Sequence, residues 1–316
     1  MKIIVEPGRS KNIMATIAIG EAHYKIWEQN ALPGWLAYCK RYDLGLVAFD
    51  EDLVSQSDPQ WKKATWQKLL IGNTLKTALP SVNNVCFLDT DILINPLAPN
   101  VFDSYDSKTV GLVSLRKNLP YPYDAVLRRV AFLRNRYYDS KYPLDSALFI
   151  SVEDLYKFHE VPVQADEACA GFFVFNVNNH AEIMGSLFRK YDKHVESITG
   201  GGDQTHFNYE IQSNIPVSWL DYRFQAIWLF EMVWKYPFLY NYGRDNKELI
   251  RECVEASLFT NYFLHFAGSW HESDMWKVGD ILQNKGSLAK FEAFDEYLKI
   301  PVSGIPVGQI KPSAKS

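Results

Sequence analysis

Two carboxylates one residue apart, Asp89 and Asp91, follow directly on the apolar run Val85-Cys86-Phe87-Leu88. Residues i and i+2 of an extended strand share a face, so the spacing predicts two carboxylates side by side. Such neighbours repel, and one of them gains proton affinity unless a cation lies between them. Hard oxygen ligands suit Mg²⁺ or Mn²⁺, whose natural third party is a diphosphate. The plainer reading is a strand that ends in Asp turns, with Asn95-Pro96 closing the loop. A short motif of this kind gains weight only from the elements that position it.

Those elements read as a strand over 13–19 ended by Gly20, then mainly helix over 22–41 broken near Pro33-Gly34. A second strand over 44–49 closes on Asp50-Glu51-Asp52. Helical spacing of Trp66, Leu69, Leu70 and Asn73 follows over about 64–77, and Pro80 stops it. The third strand is 85–88. Three strands with a helical stretch between each and the next predict an α/β fold with a mostly parallel, Rossmann-like central sheet flanked by helices. Such sheets bind ligands beyond the carboxyl ends of their strands, which singles out the residues after Ile19, Phe49 and Leu88. Further strands are expected at 110–115 and 171–177, and a helix at 180–193.

Later segments give the carboxylate pair company. Lys68 lies in Trp66-Gln67-Lys68-Leu69-Leu70 before the pair. After it come Cys169-Ala170-Gly171-Phe172-Phe173-Val174-Phe175-Asn176, then Asp203-Gln204 behind three glycines, then His265-Phe266-Ala267-Gly268. In order and spacing this set resembles the GT-A fold glycosyltransferases, above all the retaining glycosyltransferase family 8 that includes glycogenin and the lipooligosaccharide galactosyltransferases. The resemblance covers residues 13–277. It implies a GT-A fold with an elaborated C-terminal half in one domain over 1–307, divided into a nucleotide-binding half of about 10–115 and an acceptor half of about 116–280. Residues 308–316 are expected to be a frayed tail.

The resemblance also implies roles. Asp89, Asp91 and His265 would ligate Mn²⁺ or Mg²⁺, and the ion would grip the diphosphate of a nucleotide-sugar, with UDP the expected nucleotide. Thr90, Gly171, Gly268 and His271 would line the donor, and Gly20, Glu21 and Tyr24 would hold its base and ribose. Lys68 would reach the diphosphate or sugar, while Asp203 and Gln204 would sit by the anomeric carbon. Two positions depart from the family: Cys169 replaces an asparagine before Ala-Gly, and His271 replaces a lysine, with Lys277 the nearest substitute cation. The implied reaction is sugar transfer with retention to a carbohydrate, lipid-linked or protein hydroxyl. Two alternatives stay open, a haloacid-dehalogenase-type phosphatase, in which the first Asp of Asp-x-Asp attacks phosphorus, and an inactive sugar-nucleotide-binding protein. Against the phosphatase, Ile92-Leu93 follow the pair where small residues are expected, and the motif lies late in the chain.

Residues 116–138 hold Arg116, Lys117, Arg128, Arg129, Arg134 and Arg136, with Val126, Val130, Leu133 and Tyr137 at helical spacing. An amphipathic helix with a basic face follows. It is either a solvated face or a contact for anionic lipid headgroups or a phosphorylated acceptor. The whole chain carries a net charge of −4 from 33 basic and 37 acidic residues, which disfavours nonspecific nucleic-acid binding. Its 47% hydrophobic and 22% charged content excludes a mostly disordered chain of 316 residues. No apolar run approaches the roughly 20 residues of a membrane span, and the start does not read as a signal peptide. The four cysteines are too scattered for a CxxC site or disulfide framework. Reduced, mostly buried thiols are expected, in a cytoplasmic protein that touches the inner membrane face if its acceptors are lipid-linked. The 15% aromatic content is read mainly as core.

Overall fold

Among the described residues, the apolar runs assemble into ten strands: β1 (Lys2–Val5), β2 (Asn12–Ile17), β3 (Gly45–Phe49), β4 (Asn84–Leu88), β5 (Ile92–Ile94), β6 (Val110–Leu112), β7 (Phe172–Asn176), β8 (Val217–Trp219), β9 (Ala226–Ile227) and β10 (Phe263–His265). The computed structural model describes residues 1–137, 146–200, 202–241 and 243–278. The expected tail over 308–316 lies outside the described residues, as do Gly201 and the last residue of the basic segment.

The main sheet has seven strands in the order β1-β3-β2-β4-β7-β6-β8. Strands β3, β2 and β4 are parallel neighbours, and β6 pairs parallel with β8. Antiparallel pairing joins β1 to β3, and β7 to both β4 and β6. Five strands therefore run one way, and β1 and β7 run the other, so the sheet is mostly parallel as expected. The reversal of β7 matters for the site. It pairs Phe172 with Leu88, placing Gly171 beside Asp89 at the carboxyl end of β4. A small second sheet, β5-β10-β9, brings His265 to the same place by pairing it with Ile92.

Alternation along the strands builds a core on each face. Met14, Leu46, Ala48, Cys86, Leu88, Phe172 and Val174 join one cluster, which also takes in Trp27, Trp35, Trp228 and Val254 from the helices Glu21–Asn30, Leu32–Tyr42, Trp228–Lys235 and Lys247–Thr260. Ile13, Ala15, Val47, Val85, Phe87, Phe173 and Phe175 join the other, with Leu75, Met184 and Phe207 from Ile71–Ala78, Val177–Lys190 and Gln204–Asn214. Burying both faces is what a parallel sheet requires. The aromatics do serve the core: Trp27, Trp35, Trp66, Trp228 and Trp270 are among its largest fully buried side chains. All four cysteines are free and buried.

Several boundaries differ from expectation: the strand expected at 110–115 is Val110–Leu112, and the helix expected at 180–193 is Val177–Lys190. The first helical stretch breaks at Ala31, not at Pro33-Gly34. Pro33 instead sits in the first turn of the second helix, where a missing N–H removes no helical bond. The stretch over 64–77 is not one helix: Ala64–Gln67 passes into a 3₁₀ turn, Lys68–Leu70, before Ile71–Ala78 begins. No helix among the described residues is long and apolar enough to cross a membrane.

Candidate active site

Asp89 and Asp91 do not lie on an extended strand. Strand β4 ends at Leu88, and a turn follows in which the Ile92 amide donates to the Asp89 carbonyl at 3.3 Å. The turn, and not the pleat, brings the carboxylates together. His265, the last residue of β10, completes a cluster in which one ligand atom from each residue lies within 4.8 Å of the others. His265 Nε2 stands 3.3 Å from Asp91 Oδ1 and 3.9 Å from Asp89 Oδ2. Asp91 and His265 are buried, whereas the Asp89 side chain is 44% exposed to the crevice.

Three features of this cluster fit a divalent cation. Asp91 Oδ1 is buried with no hydrogen bond beyond its 3.3 Å approach to His265 Nε2, and a cation would offset the cost of burying it. Two carboxylates and an imidazole form a donor set that suits Mn²⁺. Gly171 keeps the space clear, since a Cβ there would overlap Asp89 Oδ2 and His265 Cε1. The Asp89 amide also donates to the Gly171 carbonyl at 2.8 Å, locking the carboxylate turn to the start of β7. Burial opposes charge on His265, but Cys169 and then Asp91 outweigh it and raise its proton affinity well above the ordinary value.

Lys68 occupies the 3₁₀ turn and is only 2% exposed. It is not a free helix-face cation. Its ammonium donates to the Ala170 carbonyl at 2.7 Å and pairs with Asp203 Oδ2 at 2.9 Å. Burial works against charge on both partners. The Lys68 proton is nonetheless held more tightly than usual, because Asp203 and Asp89 both face it. The Asp203 carboxyl is pushed up, since burial outweighs the single ammonium. One lysine thus serves two carboxylates, and the site as a whole has an excess of negative charge.

Asp203 occupies the N-cap position of the helix Gln204–Asn214, but its side chain makes no capping bond and turns to Lys68 instead. Gln204 Nε2 donates to Glu167 Oε1 at 2.9 Å, which leaves the Gln204 carbonyl oxygen free of that bond. Gly20 and Gly268 have φ of 91° and 67°, backbone states that favour glycine. A Cβ on Gly20 would meet nothing, so its conformation and not crowding explains the residue. His271 Nδ1 donates to the Gly268 carbonyl at 2.7 Å. Lys277 pairs with Asp274 at 2.9 Å. Glu21 pairs with Lys25 at 2.7 Å in solvent. Tyr24 packs edge-on to Trp27, and the Lys2 ammonium lies 3.9 Å from its ring centre. Glu21 and Tyr24 make no described contact with the acidic cluster.

His23, Gln225 and Glu167 escaped the sequence. His23 Nε2 lies 2.9 Å from Thr90 Oγ1, tying the first helix to the carboxylate turn. Gln225 Nε2 lies 3.1 Å from His265 Nδ1 and donates to the Cys169 carbonyl at 3.2 Å. Cys169 Sγ is 3.6 Å from the same Nδ1. Glu167, 1% exposed, receives both Gln204 and the Arg116 guanidinium, the latter through Nε and Nη2 at 3.0 Å each. Position three after Gly20 would have pointed to His23. Nothing in the sequence marks Gln225 or Glu167.

No protein-family model matches the chain, and no curated protein matches it. Among solved structures, the chain is similar to a glycosyltransferase involved in glycosylation of the major capsid of PBCV-1, at 8% identity and a TM-score of 0.48 over 86% of this chain and 98% of that one. It is similar to the bifunctional glycosyltransferase WbbM at 13% identity and a TM-score of 0.47, over 92% of this chain but only 53% of WbbM. A third similar structure is the galactosyltransferase LgtC in complex with donor and acceptor sugar analogs, at 12% identity and a TM-score of 0.44, over 94% of this chain and 98% of LgtC.

Proposed function

We propose that this chain is a metal-dependent glycosyltransferase that moves a sugar from a nucleoside diphosphate, UDP being the expected nucleotide, to a hydroxyl acceptor with retention. The observation that carries the reading is the convergence of Asp89, Asp91 and His265 around the side-chain-free Gly171, where the parallel strands end. These three would hold Mn²⁺ or Mg²⁺. When bound, the ion supplies Lewis-acid stabilisation of charge on the departing diphosphate.

The remaining roles belong to the chain. Gly268, with positive φ, would let backbone approach a phosphate without a side chain intervening, and Gly20, also at positive φ, would lie by the base and ribose. His271 and Thr90 would line the same crevice. Gln204, its amide nitrogen held by Glu167, offers its carbonyl oxygen to a sugar hydroxyl or to positive charge at the anomeric carbon. Asp203 is 5% exposed and engaged by Lys68, so it is poorly placed as a nucleophile. That favours a front-face route, in which the departing phosphate oxygen takes the acceptor proton and no protein base is needed.

The test is UDP release from a panel of UDP-sugars with and without Mn²⁺. Metal-dependent release, abolished by Asp91→Asn with the fold intact, is expected. Unchanged turnover in Asp91→Asn would overturn the assignment. Phosphate release from simple phosphomonoesters without UDP release would replace it with the phosphatase reading, and donor binding without turnover would mark an inactive binding protein.

A further inference from the structure

The basic segment divides in two once its contacts are known. Arg116 is consumed by Glu167. Lys117 donates to the Ala165 carbonyl at 2.7 Å and faces Asp166 at 3.8 Å. Arg129 donates to the Trp234 carbonyl at 2.8 Å and lies 4.7 Å from that indole ring. These three cations stabilise the protein itself.

Arg128 and Arg136 face outward. The helix Tyr123–Arg136 buries Val126, Val130 and Leu133. Arg128, Phe132 and Arg136 recur every four residues on a different face, since successive residues turn by about 100°. Phe132 is 63% exposed, and Arg128 and Arg136 are exposed with no ion pair among the described residues. On a different side of the helix from this row, Arg134 lies 5.9 Å from the ring of Phe149. Phe149 and Ile150 are 44% and 39% exposed. Asp124 is the only acid of the helix, against four arginines, so the helix carries +3 in a chain of net charge −4. Arg136 also suits the negative end of the helix dipole; Arg128, in mid-helix, has no such explanation.

We infer that Arg128, Phe132 and Arg136 form a docking surface for a bilayer carrying anionic lipid. Guanidinium groups flanking an exposed aromatic ring match the headgroup boundary, where phosphates meet the first methylenes. A protein partner would need a shaped patch of roughly 800 Å², and one phenylalanine between two arginines does not make one. A fluid surface imposes no such demand. The helix is also linked to the candidate site: Arg116 lies 5.1 Å from the ring of Tyr123, its first residue, and binds Glu167, which holds Gln204.

The experiment is co-sedimentation of the full chain with vesicles of phosphatidylcholine containing phosphatidylglycerol, against phosphatidylcholine alone, so it does not depend on any transfer activity. Binding to the anionic vesicles only is expected, and it should weaken as salt rises from about 0.1 M to about 1 M and the Debye length falls from about 10 Å to about 3 Å. Arg128→Gln with Arg136→Gln should weaken it by about fivefold for each charge removed, and Phe132→Ser should weaken it further. All three side chains are exposed, so melting curves should match the parent. A chain that stays in the supernatant with anionic vesicles, binds neutral vesicles equally well, or binds unchanged after these substitutions overturns the inference.

Discussion

Gly171 and His265 come so close that a Cβ on the first would overlap the imidazole of the second, and the Asp89 carboxylate as well. The glycine is thus required by what stands in front of it and not by its own backbone angles. Gly171→Ala should displace two of the three proposed ligands while leaving the strand pairing of β7 in place. Mn²⁺ affinity, read by electron paramagnetic resonance of the free ion, should fall by about tenfold or more. The melting temperature should move by only a few degrees, at about 1 kcal/mol for a shift of that size. Parental Mn²⁺ affinity in this variant would show that the cluster is not a metal site.

Lys68 and Asp203 are the second tightly linked pair, with side chains 3% and 7% exposed. Removing one partner of a buried pair strands the other charge, at a cost of about 3–5 kcal/mol. Lys68→Met should show a loss of that order in urea unfolding. Lys68→Met combined with Asp203→Leu should recover much of it, because no charge remains buried alone, yet sugar transfer should not return. A single variant within about 1 kcal/mol of the parent would mean that water already screens the pair.

What the sequence made legible follows from what local pattern encodes. Apolar runs such as Val85–Leu88 and Leu44–Phe49 are buried on both faces, and their alternation with helical stretches announced a parallel sheet and its ligand-binding end. The Asp89–Asp91 pair was visible for the same reason, although its geometry comes from a turn. Lys68 was visible as a residue but not as a partner: its ion pair with Asp203 spans 135 positions, and no periodicity reports such a contact. Arg116 was grouped with the surface arginines because charge spacing cannot show that Glu167 lies buried beneath it. Gln225 reaches His265 across 40 positions from a short turn with no motif.

That last contact carries a prediction of its own. If His265 binds a metal through Nε2, its proton must sit on Nδ1, and Nδ1 then needs an acceptor. Gln225 is the nearest amide, and its Oε1 is buried without a partner in the present orientation. Turning the amide would present that oxygen to Nδ1. Gln225→Leu should therefore lower Mn²⁺ affinity by about 10–100-fold, while Gln225→Glu, which always offers an oxygen, should keep it near the parent value. Equal affinity in the leucine variant would assign the orientation of His265 to Cys169 alone.

Acid sensitivity should trace to His206, a residue outside the proposed metal cluster. It is 3% exposed, packed against Trp66 and Tyr191, and its Nδ1 is buried without a partner. Burial, reinforced by His159, lowers its pKa from 6.5 to about 4. Between those values the unfolded chain binds a proton that the folded chain refuses, so stability falls as the pH drops through the interval and is fully present above it. At 1.36 kcal/mol per pH unit the loss approaches about 3 kcal/mol by pH 4. His206→Phe keeps a ring among the aromatics and removes the titration. Urea unfolding at a series of pH values should show a shallower decline between pH 6.5 and 4 for the variant than for the parent. Parallel curves would place the acid-sensitive group elsewhere, with His159, lowered mainly by burial and facing His206, the next to replace.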